Sequence, residues 1–336
     1  MLRLVHRLMS LQWRWHGAAI RQRSIAGSVV WYADFPARPE RRPRSGRGRR
    51  APRRAPTLVL FHGLGASSTS FYPVVPFLRR AYRVVVPDLP GCGASRPPRG
   101  REFLGFSELV DVAEAFVAEV APGGAYVAGN SMGGWIATKV AARRPDLVTG
   151  MALLNPGGPA LRAEDWVDFA RILWAEEKGT MDEWLRRMFH RPPLYMRLFL
   201  REFRRVMKAP SVAQLMSSLR PEDFLSEAEV EKVRSPAVLV WGEKDRLIPD
   251  GCKAFYLKKL KGVRYEPVPD CGHCPQLECP SRTAQILLEL PALAAARRPR
   301  GAHPQLPAGG GGGTRARTPV PRRRGGLVAV ARAPKS

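Results

Sequence analysis

The chain has 336 residues, of which 45% are apolar, so it can form one large domain with a substantial core. Its net charge of +26 is at first sight typical of nucleic-acid-binding proteins, but three Arg-rich segments carry +23 of that charge. These segments are residues 1–23, 38–54 and 296–336. The rest of the chain is nearly neutral, which argues against a basic binding face, and we expect no specific nucleic-acid partner.

Residues 1–22 are predicted to form an N-terminal basic helix or tail. Their apolar residues lie near one helical face, which either packs on the domain's own surface or makes weak contact with an anionic membrane. Charged residues interrupt this stretch, so it does not resemble a secretory signal, and the five cysteines are expected to be reduced thiols. We therefore expect a cytoplasmic protein and leave peripheral membrane contact open.

Residues 23–155 alternate short apolar runs with helix-spaced segments, and we interpret them as the first half of an α/β core. Strands are predicted at residues 28–32, 57–61, 82–86, 125–128 and 148–154. Helices are predicted at residues 106–120 and 131–143. The Arg/Pro-rich residues 37–56 are predicted to be a disordered loop between two strands.

Residues 156–232 contain no convincing strand pattern, and their helix-spaced aromatic and aliphatic residues predict a helical cap. The core pattern resumes over residues 233–295, with strands at 237–241 and 263–268. Helices are predicted there at residues 252–260 and 281–290. The Pro, Gly and Arg composition of residues 296–336 predicts a disordered basic tail. The fold class is therefore α/β, with a mostly parallel central sheet, flanking helices and an inserted cap.

A Gly-Asn-Ser-Met-Gly-Gly motif at residues 129–134 lies where a predicted strand meets a predicted helix. A sharp strand–turn–helix displays its serine on a strained backbone, and only small residues fit two positions before and after it. Gly129 and Gly133 meet this requirement around Ser131. We predict Ser131 as the nucleophile, with the Met132 N–H at the helix start as one donor of an oxyanion hole.

The second oxyanion donor is predicted to be the Leu64 N–H, in the turn that follows an early strand. Gly63 permits close approach of the backbone there, and the side chain of His62 is interpreted as a support for the loop. Serine needs a general base, and His273 follows the last predicted strand. Asp245 follows the strand before it and is predicted to orient the histidine, with Glu243 as the reserve choice.

Metal and cofactor sites are not predicted. Cys271, Cys274 and Cys279 are spaced as zinc ligands can be, but a metal that used His273 would remove the base that Ser131 needs. We interpret Cys92 as a small buried residue without a catalytic role.

The chain from about residue 24 to residue 293 resembles the α/β-hydrolase superfamily. The resemblance is carried by residues 61–63, 88–95, 129–134, 242–245 and 272–273. It implies a core sheet with a helical cap over the site, and a structural role for Asp88. The serine motif is similar to those of monoacylglycerol lipase and carboxylesterase-like enzymes and, less so, of meta-cleavage-product hydrolases. The latter usually carry Trp shortly after the histidine, whereas residues 274–278 of this chain contain no Trp.

These residues predict a serine hydrolase that cleaves carboxylic esters through an acyl-enzyme on Ser131, without a cofactor. The apolar cap indicates a small-molecule ester with a hydrophobic acyl group. Two alternatives stay open: hydrolysis of a carbon–carbon bond of the meta-cleavage type, and a small-molecule receptor on a hydrolase fold.

Overall fold

A computed structural model describes residues 13–14, 17–38, 55–160, 162–174, 180–192 and 204–297. Its centre is one eight-stranded sheet. The strands are β1 (Ala19–Ile25), β2 (Ser28–Phe35), β3 (Thr57–Phe61), β4 (Arg83–Pro87), β5 (Ala125–Asn130), β6 (Val148–Leu154), β7 (Ala237–Gly242) and β8 (Arg264–Val268).

The strand order is β1-β2-β4-β3-β5-β6-β7-β8. β1 pairs antiparallel with β2 and β2 antiparallel with β4, while the pairs from β4 through β8 are parallel. The predicted α/β fold with a mostly parallel sheet is thus confirmed. Because parallel strands end at the same edge, the loops after β3, β5, β6, β7 and β8 share one rim of the sheet.

Helices connect the strands and cover both faces. Those of the core are α1 (Val75–Leu78), α2 (Phe106–Val120), α3 (Met132–Arg143), α8 (Asp250–Lys259), α9 (Pro275–Glu278), α10 (Pro280–Leu288) and α11 (Leu290–Arg297). Those between β6 and β7 are α4 (Ala163–Trp174), α5 (Thr180–Met188), α6 (Pro210–Ser217) and α7 (Glu227–Val230). The described residues between β6 and β7 contain no strand, as expected for a helical cap.

The core has two layers, one on each face of the sheet, because successive side chains of a strand point to opposite faces. Val59, Val127 and Leu239 pack in one layer with α2 and α3. Leu58 and Val240 pack in the other layer with residues of α1, α10 and α11. The sheet is buried on both sides, which explains why its central strands are continuous apolar runs.

The N-terminal boundary differs from the prediction. β1 begins at Ala19 and crosses the expected division at residue 22, so this part of the segment is strand rather than helix or tail. Trp13 is buried and packs against Trp31 and Phe35, which places it in the core. β1 escaped prediction because residues 21–24 are polar and exposed, as an edge strand permits.

Further differences concern the ends of elements. The strand predicted to stop at residue 32 continues to Phe35, and the helix predicted over residues 281–290 is divided into α10 and α11 around Glu289. α11 reaches Arg297, beyond the predicted core boundary at 295. Most of the expected disordered segments, residues 39–54 and 298–336, lie outside the described residues. No described helix combines the length and apolar character needed to cross a bilayer.

Candidate active site

Ser131 occupies the turn between β5 and α3, which we call the serine turn and define as residues 129–134. Its backbone has φ of 56° and ψ of −119°, a conformation that costs a non-glycine residue free energy. The Ser131 N–H donates to the Leu154 carbonyl at the end of β6, at 3.0 Å. The turn therefore holds a partly exposed hydroxyl at the start of a helix and at the rim of the sheet.

The two predicted small positions of the serine turn have steric causes that the structure identifies. A Cβ added to Gly129 would overlap the backbone of Gly133, and one added to Gly133 would overlap the Phe61 carbonyl. Both obstacles are backbone, which cannot move aside as a flexible side chain can. The strand–turn–helix is thus held by direct backbone packing between β3, β5 and α3.

The loop after β3 lies against the nucleophile. A Cβ added to Gly63 would lie 3.2 Å from the Ser131 Cβ, so this glycine permits the approach. Leu64 follows it and is partly buried beside the core. Within the described residues, neither the Leu64 N–H nor the Met132 N–H donates to a protein acceptor.

The His62 ring supports this loop through two hydrogen bonds, in line with its predicted role. The buried ring accepts a hydrogen bond from the Leu89 N–H at Nε2, at 2.9 Å. Its Nδ1 lies 2.8 Å from the Gly63 carbonyl and therefore donates to it, which fixes the neutral tautomer. Burial lowers the pKa of His62, against a smaller opposing effect of the Asp88 carboxylate. Asp88 itself accepts from the Ser68 and Ala94 N–H groups, both at 2.8 Å.

Asp245 and His273 are in direct contact. Oδ2 of Asp245 lies 2.9 Å from Nδ1 of His273, and the two side chains are 0% and 2% exposed. Oδ1 of Asp245 accepts from the N–H groups of Leu247 and Ile248, at 2.8 and 3.1 Å. This carboxylate is therefore surrounded by donors, as a buried acid requires. Glu243, the reserve choice, is exposed.

Asn155 completes the surroundings of the acid and was missed from the sequence. It is fully buried at the end of β6, and its Nδ2 donates to Asp245 Oδ2 at 2.7 Å. Its Oδ1 accepts from the Gly242 N–H at 3.0 Å, and its φ is 42°. In the sequence, Asn155 precedes Pro156-Gly157-Gly158, a pattern that predicts a turn. Nothing in that pattern indicates a contact with Asp245.

Asn130, directly before the nucleophile, connects the serine turn to the histidine. Its Nδ2 donates to the carbonyls of His273 and Leu154, at 2.9 and 3.0 Å, and its Oδ1 accepts from Gln276 at 3.0 Å. The described hydrogen bonds include none between Ser131 Oγ and the His273 ring. Contacts of this kind are often long before substrate binds and tighten in the reacting complex.

Apolar side chains of the cap pack against Leu64, in the loop that follows β3. Buried Met207 and Val212 form a cluster with partly buried neighbours. These neighbours are Leu64, Phe169, Val206 and Met216. Met207 also contacts Gly65. Residues 175–179 and 193–203 of the predicted cap lie outside the described part of the chain.

The cysteines are free thiols. Burial raises the pKa of Cys271 and Cys274, and it raises the pKa of Cys92 to about 12, so these thiols are held in their neutral form. The described residues contain no group of three His, Cys, Asp or Glu side chains placed to hold a metal ion.

The chain is similar to several known proteins in sequence and in fold. The hydrolase YugF of Bacillus subtilis strain 168 is 27% identical over 205 residues, which cover 57% of this chain and 74% of that protein. A pimeloyl-[acyl-carrier protein] methyl ester esterase of Nitrosomonas europaea is 27% identical over 247 residues, which cover 68% of this chain and 92% of that protein. The crystal structure of a membrane phospholipase A, described as a novel bacterial virulence factor, superimposes with a TM-score of 0.73 at 26% identity, covering 87% of this chain and 91% of that one.

A family model described as "Alpha/beta hydrolase family" matches residues 58–286, which include the three predicted catalytic residues. Together with the sheet order and the serine turn, this match confirms the resemblance drawn from the sequence motifs. The chain belongs to the alpha/beta hydrolase family.

Proposed function

We propose that this hydrolase cleaves carboxylic esters with a hydrophobic acyl group through a covalent acyl-enzyme on Ser131. The observation that carries the proposal is the buried pair of His273 and Asp245, at 2.9 Å, on loops that follow neighbouring strands of the sheet that presents Ser131. An imidazole held by a carboxylate at Nδ1 keeps Nε2 available as a base.

In the first step His273 accepts the proton of Ser131 as the hydroxyl oxygen attacks the ester carbonyl. The tetrahedral intermediate collapses when the protonated His273 gives that proton to the leaving alcohol. The alcohol departs, and the acyl group stays bound as an ester of Ser131. Asp245 stabilises the imidazolium throughout and fixes its orientation.

In the second step His273 removes a proton from water, which attacks the acyl-enzyme. Collapse of the second intermediate returns the proton to Ser131 and releases the carboxylic acid. No cofactor or metal is needed for either step. The N–H groups of Met132 and Leu64 are the proposed donors to the negative oxygen of both intermediates. In such sites each donor typically stabilises the transition state by about 3 kcal/mol.

The apolar cluster around Met207 supports a hydrophobic acyl group. It lies over the loop that carries Leu64, so the group bound to the carbonyl carbon would meet aliphatic and thioether side chains. Methionine adapts to irregular shapes, which suits chains of different length. Two of the compared proteins, the methyl ester esterase and the phospholipase A, are named for ester cleavage, which also supports this substrate class.

Labelling with a fluorophosphonate probe tests the nucleophile. We expect the wild-type chain to label stoichiometrically and Ser131→Ala to remain unlabelled while it retains its circular dichroism spectrum. Equal labelling of both proteins would overturn the assignment of Ser131. A p-nitrophenyl ester series of increasing chain length then tests the acyl group, with an expected rise of kcat/KM from acetate to medium-chain esters.

The same series separates the proposed reaction from the alternatives. Labelling with only a single turnover of every ester would favour a receptor. Turnover of a vinylogous diketone but of no ester would favour carbon–carbon hydrolysis. Asp245→Asn provides an internal reference, because a histidine in the wrong tautomer should lower kcat by about 10⁴ without preventing folding.

A further inference from the structure

The C-terminal end of cap helix α5 contacts both loops that carry the acid–base pair. The Arg187 carbonyl accepts from the N–H of Arg246, the residue after Asp245, at 3.2 Å. The Met188 carbonyl accepts from the N–H of His273 itself, at 2.7 Å. The last carbonyls of a helix have no partner within the helix, so they are available for such contacts.

Glu278, the last residue of core helix α9, adds hydrogen bonds both to Gly272 and to the cap. One carboxylate oxygen accepts from the N–H of Gly272, directly before the histidine, at 2.9 Å. The other accepts from the N–H groups of His190 and Arg191 in the cap, at 2.9 and 3.3 Å. One side chain therefore joins the chain segment after α5 to the backbone next to His273.

Apolar packing surrounds the same contact. Trp184, Leu185 and Phe189 of the cap are buried together with Cys274, the residue after the histidine. Partly buried Leu247, two residues after Asp245, packs against this cluster. The cap thus contacts the backbone that follows Asp245 and the backbone on both sides of His273, so a displacement of α5 would disturb both loops.

We propose that Glu278 is a positioning residue for His273, which fixes the imidazole by joining residues 190–191 of the cap to Gly272. This inference rests on the proposed acyl-enzyme mechanism, in which His273 must stand in line with Ser131. Glu278 acts through the backbone and touches neither Ser131 nor the His273 ring in the described contacts.

The carboxylate suits this role because it offers two acceptor oxygens and no donor when ionised. Gln keeps the shape, but its NH₂ group would face one of the N–H groups that now donate to Glu278. Burial raises the pKa of Glu278, against smaller opposing effects of its backbone hydrogen bonds. Because burial of this charge costs the folded state free energy, the uncharged side chain of Glu278→Gln should be accommodated and the variant should fold normally.

The experiment measures the phosphonylation rate of each active site, with the number of active sites taken from saturating fluorophosphonate labelling. We expect Glu278→Gln to lower the rate per site about tenfold and Glu278→Ala about a hundredfold, since small displacements of a base have effects of this size. With p-nitrophenyl acetate, kcat should fall while KM stays within about twofold, because the binding surface is unchanged.

Glu229→Gln is the matched control. Glu229 also accepts from a backbone N–H, that of Ser226, and pairs with buried Lys139 at 2.8 Å, but it contacts neither loop. We expect it to lower the thermal midpoint and to leave the rate per site unchanged. Glu278 variants that show fewer active sites, each with the wild-type rate, would overturn the positioning role. Wild-type protein that fails to label would instead remove the proposed mechanism itself.

Discussion

The serine turn and the histidine loop, residues 270–274, face each other but are held in different ways. The serine turn is fixed by backbone packing, with Gly129 and Gly133 in van der Waals contact with neighbouring backbone. The histidine loop is fixed by hydrogen bonds with Asn130 and Met188, which are distant along the chain, and with Glu278, which is near in sequence. The predicted nucleophile therefore depends on close backbone packing, whereas the predicted base depends on hydrogen bonds contributed by several elements.

Substitution of Gly133 tests whether backbone packing fixes the serine turn, and it should have the largest effect. In Gly133→Ala the new methyl group would overlap the Phe61 carbonyl, so β3 and α3 must separate. We expect destabilisation by more than about 3 kcal/mol and loss of probe labelling, measured by urea unfolding and gel fluorescence. Gly123→Ala is the control, since no atom lies within 4 Å of its added Cβ. A well-folded, active Gly133→Ala would contradict the packing argument.

Substitution of Asn155 tests whether hydrogen bonds from other elements position Asp245 and His273, and it should have an intermediate effect. Asn155→Ala removes the donor to Asp245 Oδ2 and leaves His273 as the remaining side-chain partner of that oxygen. Hydrogen bonds to charged groups contribute about 1.5–3 kcal/mol, so kcat should fall roughly ten- to a hundredfold.

The measurement is kcat per titrated active site, with KM expected to stay unchanged. Thr138→Val is the control, because Thr138 is equally buried and its hydroxyl donates to Gly134, without contact to Asp245 or His273. Equal falls of kcat in the two variants would show that general loosening, rather than the acid, is responsible.

The smallest expected effect concerns pH and the buried ring of His62. Because burial lowers the pKa of His62, the folded state binds fewer protons than the unfolded state below the ordinary histidine pKa of 6.5. Stability is therefore retained above that pH and lost as the pH falls, by up to about 1.4 kcal/mol per pH unit. The difference in unfolding free energy between wild type and His62→Gln should shrink accordingly between pH 6.5 and 5. Parallel curves would exclude a buried neutral His62.

The same contrast explains how much could be predicted from the sequence. The strand periodicities and the 129–134 motif follow from local sterics, so the α/β fold and the place of Ser131 at a strand–helix turn were predictable. The hydrogen-bond partners that hold Asp245 and His273 were not predictable. Asn155 lies 90 residues before Asp245. Glu278 lies only six residues after Gly272, but it joins this loop to N–H groups of the cap that are 87 and 88 residues away along the chain. Such contacts arise only when separate strand ends and the cap come together. β1 was missed because an exposed edge strand lacks the apolar run that marks the central strands.

The composition of β1 also bears on self-association. Within the described residues, β1 is the last strand on its side of the sheet, so one row of its backbone N–H and carbonyl groups has no strand partner. Arg21 and Arg23 are exposed along it. They pair with Asp34 and Glu119, at 3.3 and 3.6 Å. A second copy that added its own β1 there would have to accommodate these charged side chains along the new ladder. Charged side chains of this kind make an edge strand a poor template for further strands.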